Sequence, residues 1–200
     1  MSRMLLWAGG LLLFLPAAWG QDDPKIAAKE IKSILAEYVK ANQEFTAALK
    51  AATTVEERKE AFTKRPNAAK FAARLMPLVN ADAKSAAAGE ALAFVVANAS
   101  FTGEGKAAVG LLLEHHAKCP ALTPALDRLA NMNDPRIAKF LERVAKENPN
   151  AAAKEAAAAI GRLMVGKVIP DITAEDTDGK SFKISDYRGK VVLLDFWGHW

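Results

Sequence analysis

Cys119, the adjacent pair His115–His116 and Asp195 are the side chains here whose types suit chemistry. A cysteine is reactive as the thiolate, which needs a helix N-terminus or a nearby cation to lower its pKa. Cys119 stands in "HHAKCPAL", before Pro120 at the expected end of a helix. Neither aid adjoins it, so it reads as a small, half-buried residue. Neighbouring helical residues point about 100° apart. His115 and His116 therefore cannot grip one metal ion as an i, i+4 pair can, and they are expected at a solvent-facing helix end. No metal site and no cofactor are expected. Asp195 follows the apolar run "GKVVLL" and opens "DFWGHW", the last six residues. By itself it reads as a strand-end carboxylate.

Two kinds of element must position these groups. Over residues 24–164 the spacing predicts helices throughout, with no strands. Ile31, Ile34, Tyr38, Ala41, Phe45 and Ala48 fall three and four apart, one face of a first helix. Pro66, Pro77, the Gly103–Gly105 pair, Pro120, Pro135 and Pro149 cut the rest into helix-length pieces. "NDPRIAKFLERVAKENPN" carries Asn133 or Asp134 as an N-cap with Pro135 in the first turn, and "NPNAAAKEAAAAIGRLM" repeats that grammar. The Phe71, Leu75, Leu78 and Leu92, Val95, Val96 sets read as core, and "VEERKEAFTKR" as a solvated face. "DAKSAAAGEAL" at 82–92 resembles "NAAAKEAAAAI" at 150–160, an offset of two tetratricopeptide-length units. The reading is an α-helical repeat or irregular bundle.

From Val165 the period changes. Ile172 with Ala174, and Phe182 with Ile184, alternate with polar residues. Asp178-Gly179 between them signals a two-residue hairpin loop. "DYRG" makes a short turn, and "VVLLDFW", apolar on both faces, reads as a central strand. A domain boundary is expected near Met164–Gly166.

The chain carries a net charge of +4, with 51% apolar and 25% charged residues. Cations are scattered among anions, which argues against nucleic-acid binding. Residues 1–20 have an early Arg3, an apolar core from Leu5 to Leu15, then Pro16, Ala18 and Gly20 before Gln21. That is the pattern of a cleaved secretory signal. The run is short for a hydrocarbon layer of about 30 Å, so no retained membrane anchor is expected. Export to an oxidising or cell-envelope compartment follows, where disulfide chemistry is possible. With one cysteine, Cys119, the sequence holds no internal disulfide.

"GKVIPDITAEDTDGKSFKISDYRGKVVLLDFWGHW" resembles the opening of an exported thioredoxin-like domain of the TlpA/ResA type. That group is part of the redoxin (alkyl hydroperoxide reductase/thiol-specific antioxidant) superfamily. The resemblance covers residues 165–200. Residues 21–164 are loosely similar to the alanine-rich helical extensions before such domains. The expected fold is thus mainly α: a signal over 1–20, a helical domain over 21–164, and over 165–200 the first hairpin and strand of an incomplete thioredoxin-like α/β domain.

The resemblance implies thiol–disulfide exchange with a protein thiol or disulfide partner. It puts the nucleophilic cysteine of a Cys-x-x-Cys pair immediately after Trp200, at a helix N-terminus that stabilises a thiolate. It implies that Asp195 is the buried acid beneath that pair, its pKa raised by burial, and that Trp197 and Trp200 flank the active site. A strand-end carboxylate remains the alternative for Asp195. Without the cysteines, residues 1–200 alone are expected to be inactive. The ending at Trp200 fits a fragment, a nonsense codon or a UGA codon for selenocysteine. Two other functions stay open: a helical-repeat scaffold that binds a protein partner, and a peroxide-reducing redoxin. The codons beyond 200 separate them.

Overall fold

A computed structural model describes residues 24–195. The expected signal over 1–20, and Trp197 and Trp200, lie outside the described residues. The chain divides into two compact units, one ending at Leu111 and one beginning at Leu112. Among the described residues the fold is mainly α, with one small antiparallel sheet.

The first unit holds α1 (Pro24–Ala51), α2 (Val55–Thr63), α3 (Ala68–Ala81), α4 (Ala86–Ala99) and most of α5 (Gly103–His115). On α1, Ile31 and Ile34 are buried, and Tyr38, Ala41, Phe45 and Ala48 are half-buried. That is the face the spacing predicts. Tyr38 meets Phe71 and Phe94 edge-on, with ring centroids 5.2 and 4.7 Å away. Such pairs add about 0.5–1.5 kcal/mol beyond area burial. The helix α4 buries Ala87, Ala88, Ala91, Leu92, Ala93, Val95, Val96 and Ala99, on nearly all sides. A helix apolar all round belongs inside, and its alanines let α1 and α3 come close. The "VEERKEAFTKR" helix is exposed but for Ala61, as expected.

Pro77 corrects the punctuation. It lies inside α3 instead of ending it. A helical proline removes the N–H that would bond the carbonyl four residues earlier. Pro77 and Ala73 are both on the exposed side, where water can satisfy that carbonyl. Leu75, Met76, Leu78 and Val79 hold the other side in the core.

At the start of α5 one glycine is required by close approach. A Cβ on Gly105 would lie 2.6 Å from Ser100 Cα and 2.7 Å from Ser100 C, and would meet the Ala99 carbonyl as well. All three are backbone atoms. Gly105→Ala is expected to destabilise by about 1–3 kcal/mol although alanine favours helices. Gly110→Ala, in the same helix with open space at its Cβ, is expected to stabilise by up to about 1 kcal/mol. Urea melts of the two variants should therefore shift in opposite directions.

The second unit contains the end of α5, then α6 (Thr123–Ala130), α7 (Arg136–Glu147) and α8 (Ala151–Arg162). Ile137, Phe140, Leu141 and Val144 of α7 are buried, and α8 packs on α7 and α6. Asp134 serves the start of α7: its Oδ1 accepts the Arg136 N–H at 2.9 Å. Asn150 caps α8, accepting from the N–H groups of Ala152 and Ala153 at 2.9 and 3.4 Å. Arg143 donates from Nη1 to the Leu113 and Glu114 carbonyls at 3.3 and 3.4 Å, a cation at the C-terminal end of α5.

Beyond α8 come β1 (Thr173–Glu175) and β2 (Ser181–Lys183), paired antiparallel, and a 3₁₀ turn over Ile184–Tyr187. Ala174 lies opposite Phe182.

Candidate functional site

The Asp178-Gly179 loop is longer than two residues. The Gly179 N–H donates to the Asp176 carbonyl, and the Asp176 N–H to the Lys180 carbonyl, each at 3.0 Å. A turn over Thr177 and Asp178 thus precedes Gly179, whose φ of +77° is the left-handed conformation that glycine adopts freely. The Asp176 carboxylate fixes the loop by accepting from the Asp178 and Lys180 N–H groups at 3.0 and 2.8 Å.

That loop sets the register: Thr173 faces Lys183, which carried onward puts Asp171 opposite Ser185. The Asp171 carboxylate takes both donors of that residue. The Ser185 N–H donates to Oδ1 at 2.9 Å and the Ser185 hydroxyl to Oδ2 at 2.7 Å. The Ile184 N–H donates to the Ile172 carbonyl at 3.0 Å. Asp186 accepts the Lys183 N–H at 2.9 Å and closes the turn from the other side. "IPDI" and "KISDYRG" are thus two halves of one hydrogen-bonded clamp. Sequence reasoning missed it. The two-residue loop it assumed would have set Asp171 against Asp186.

The Ser185 hydroxyl, then its N–H, hold the Asp171 carboxyl below its ordinary value of 3.8, and Lys183 and Arg188 add attraction. A depressed folded-state pKa gives stability that is complete above the unfolded value and fades as pH falls through the folded one. The group is exposed, so the contribution is screened. The Ser185 amide resonance is expected to titrate with a midpoint below 3.8, and Asp171→Ala should abolish that titration. Nuclear magnetic resonance between pH 2 and pH 6 checks it, since the window of lost order lies on the acid side.

After Gly189, at φ +83°, comes Val191–Asp195. It is not a central strand. Val191 and Leu193 are almost fully exposed, Val192 and Leu194 half as much, and no residue of the stretch is in a ladder. The alternation is that of an extended segment, but the described residues supply no neighbouring strand to pair with it. Asp195 is exposed, so the buried setting that the resemblance implies is not formed among the described residues.

The remaining candidates lie elsewhere. Cys119 is 7% exposed, more deeply buried than its position suggested. His116 is 5% exposed, which corrects the solvent-facing reading. Both belong to the turn after α5, which Asn148 draws inward. Asn148 Nδ2 donates to the Ala117 and Cys119 carbonyls at 2.8 Å each. Among the described residues no cluster of His, Cys, Asp and Glu could hold a metal ion. No described helix is long and apolar enough to cross a membrane.

A stretch of this chain is similar to the thiol-disulfide oxidoreductase ResA. The ResA of Geobacillus thermodenitrificans is 47% identical over 38 residues, 19% of this chain and 22% of the relative. That of Geobacillus kaustophilus is 50% identical over 38 residues, with the same coverage. That of Bacillus subtilis is 49% identical over 35 residues, 18% of this chain and 20% of the relative. The match spans about a fifth of the length of these curated relatives. No family profile matches the chain, and no solved structure does. The ResA matches support a thioredoxin-like relationship.

Proposed function

We propose that this chain is the leading part of an exported thioredoxin-like thiol-disulfide oxidoreductase of the bacterial periplasm or cell envelope. The observation that carries the reading is the similarity to ResA over 38 residues. In it, residues 1–20 are a removed signal, 21–164 a helical domain and 165–200 the opening of the redox domain. Segment 191–195 leads toward a Cys-x-x-Cys pair that begins just after Trp200. Asp195 becomes the acid beneath that pair once the domain surrounds it, and Trp197 and Trp200 flank it.

The chemistry is exchange. A thiolate attacks one sulfur of a partner's disulfide and expels the other as thiolate. The second thiol gives up its proton, attacks the mixed disulfide and releases the partner reduced, leaving the pair oxidised. Residues 1–200 contain one cysteine, the buried Cys119, so they alone are expected to show no such turnover.

The test is to sequence the gene beyond codon 200 and assay the continued product. A Cys-x-x-Cys there, or UGA followed by two codons and a cysteine codon, together with disulfide reductase activity, supports the reading. A single cysteine in a Thr-x-x-Cys context supports a peroxide-reducing redoxin. Unrelated sequence overturns both.

A second reading concerns the helical region. Helices α3, α5 and α7 begin at Ala68, Gly103 and Arg136, close to the spacing of about 34 residues of two-helix repeats. In that reading the helical region serves to bind a protein partner.

A further inference from the structure

We propose that Asp171 is a positioning residue: by clamping Ser185 it fixes the direction in which Val191–Asp195 leaves the hairpin. The inference rests on the thiol-disulfide reading, in which that segment carries the nucleophile's strand. The connection is short and continuous. Asp171 holds the N–H and the hydroxyl of Ser185 at 2.9 and 2.7 Å, which anchors the first half of the 3₁₀ turn. The turn then passes its orientation onward through two bonds. The Arg188 N–H donates to the Ser185 carbonyl at 3.3 Å, and the Lys190 N–H to the Tyr187 carbonyl at 3.0 Å. Gly189, at φ +83°, makes the final bend, and Val191 follows two residues later. The Tyr187 ring stands edge-on to Phe182 of β2, centroids 6.3 Å apart, and Lys190 lies over its face at 5.9 Å. Val192, Ile169 and Ile184 line the same hollow as Asp171 and Ser185. The clamp and the start of the departing segment therefore line one small, open hollow. Releasing the clamp frees the turn, and the turn aims the segment.

The second half of this chain of effects is chemical. A thiol at a helix N-terminus is acidified only while it stays in line with the helix N–H groups. A displacement of about 1 Å at a reacting centre can cost about a hundredfold in rate.

Two arms test the proposal. In the 200-residue chain, Asp171→Ala and Ser185→Ala should speed hydrogen exchange at the Ser185 and Lys190 amides at least about tenfold. In the product of the reading frame continued past codon 200, Asp171→Ala should lower kcat/KM for disulfide reduction about 10- to 100-fold. It should also raise the pKa of the nucleophilic thiol, read by thiolate absorbance. Ser185→Ala should give a smaller loss of the same kind, and Ser185→Thr, which keeps the hydroxyl, should stay within about twofold of wild type. Should Asp171→Ala fail to fold, the Ser185 pair carries the test, since Ser185→Ala deletes one bond. Faster exchange with an unchanged rate and thiol pKa would overturn the positioning role alone. A continued product with neither a dithiol nor a selenol–thiol pair would overturn the thiol-disulfide reading and the role together.

Discussion

Phe140→Ala is expected to destabilise the second unit by about 3–5 kcal/mol, the range for emptying a buried aromatic site. Phe140 is 2% exposed and lies midway along α7, beside Ile137, Leu141 and Val144 of the same buried face. Two properties put it at the upper end of the effects available here. It is the largest of the fully buried side chains among the described residues. And α7 lies against α8 along most of its length, so inward collapse would disturb an extensive contact. Phe101→Ala is the matched control. That ring is 89% exposed, and its loss should change stability by no more than about 0.5 kcal/mol. Urea melts followed by circular dichroism give both numbers. A loss under about 1 kcal/mol for Phe140→Ala would mean that this site repacks.

The second large effect belongs to Asn148. Its side chain is 1% exposed and ties the turn after α5 to the turn before α8. Besides the two carbonyls that Nδ2 serves, its Oδ1 accepts the Asn150 N–H at 2.9 Å. Asn150 extends the tie by donating from Nδ2 to the Pro120 carbonyl at 2.9 Å. Alanine at 148 would strand two carbonyls and one N–H in surroundings short of water. At about 1–3 kcal/mol for a buried group left unsatisfied, the expected cost is about 2–4 kcal/mol. Asn148→Asp should be no better. Two carbonyls need donors, and an ionised carboxylate offers none. Asn150→Ala should cost only about 1 kcal/mol, the worth of an N-cap. If Asn148→Asp proved as stable as wild type, the two carbonyl bonds would not be what holds the turns.

Helical spacing was legible because burial selects side chains by their direction on a helix. The six positions on α1 needed only the count of three and four. The start of α7 was legible for a similar reason, since Asp134 before a proline supplies an acceptor where N–H groups lack partners. Pro77 was misread because a proline's cost depends on which side it faces, and that emerges only when Leu75 and Val79 find their core. His116 was misread because its exposure is set by Asn148, 32 residues away in sequence, drawing the turn inward. The Asp171–Ser185 clamp was out of reach for a narrower reason. A loop misjudged in length shifts every pair in the hairpin, and one residue of shift replaces Ser185 by Asp186. The expected central strand failed because apolarity on both faces describes what such a segment needs, while the described residues provide no ladder for it.

The helical partnerships have a kinetic consequence. The most extensive helix contacts join α7 to α8 and α3 to α4, each pair adjacent along the chain. Closing the short connections between such neighbours costs little loop entropy, and topologies built this way fold in about microseconds to milliseconds. Helices of this kind collapse as soon as both members of a pair exist. On a ribosome adding about 5–20 residues per second, α3 and α4 have time to meet long before Val191 is made. Under the proposed export, in which the polypeptide crosses a membrane unfolded, such haste is a hazard. Keeping the helical region extended until transit would then fall to whatever binds the emerging chain.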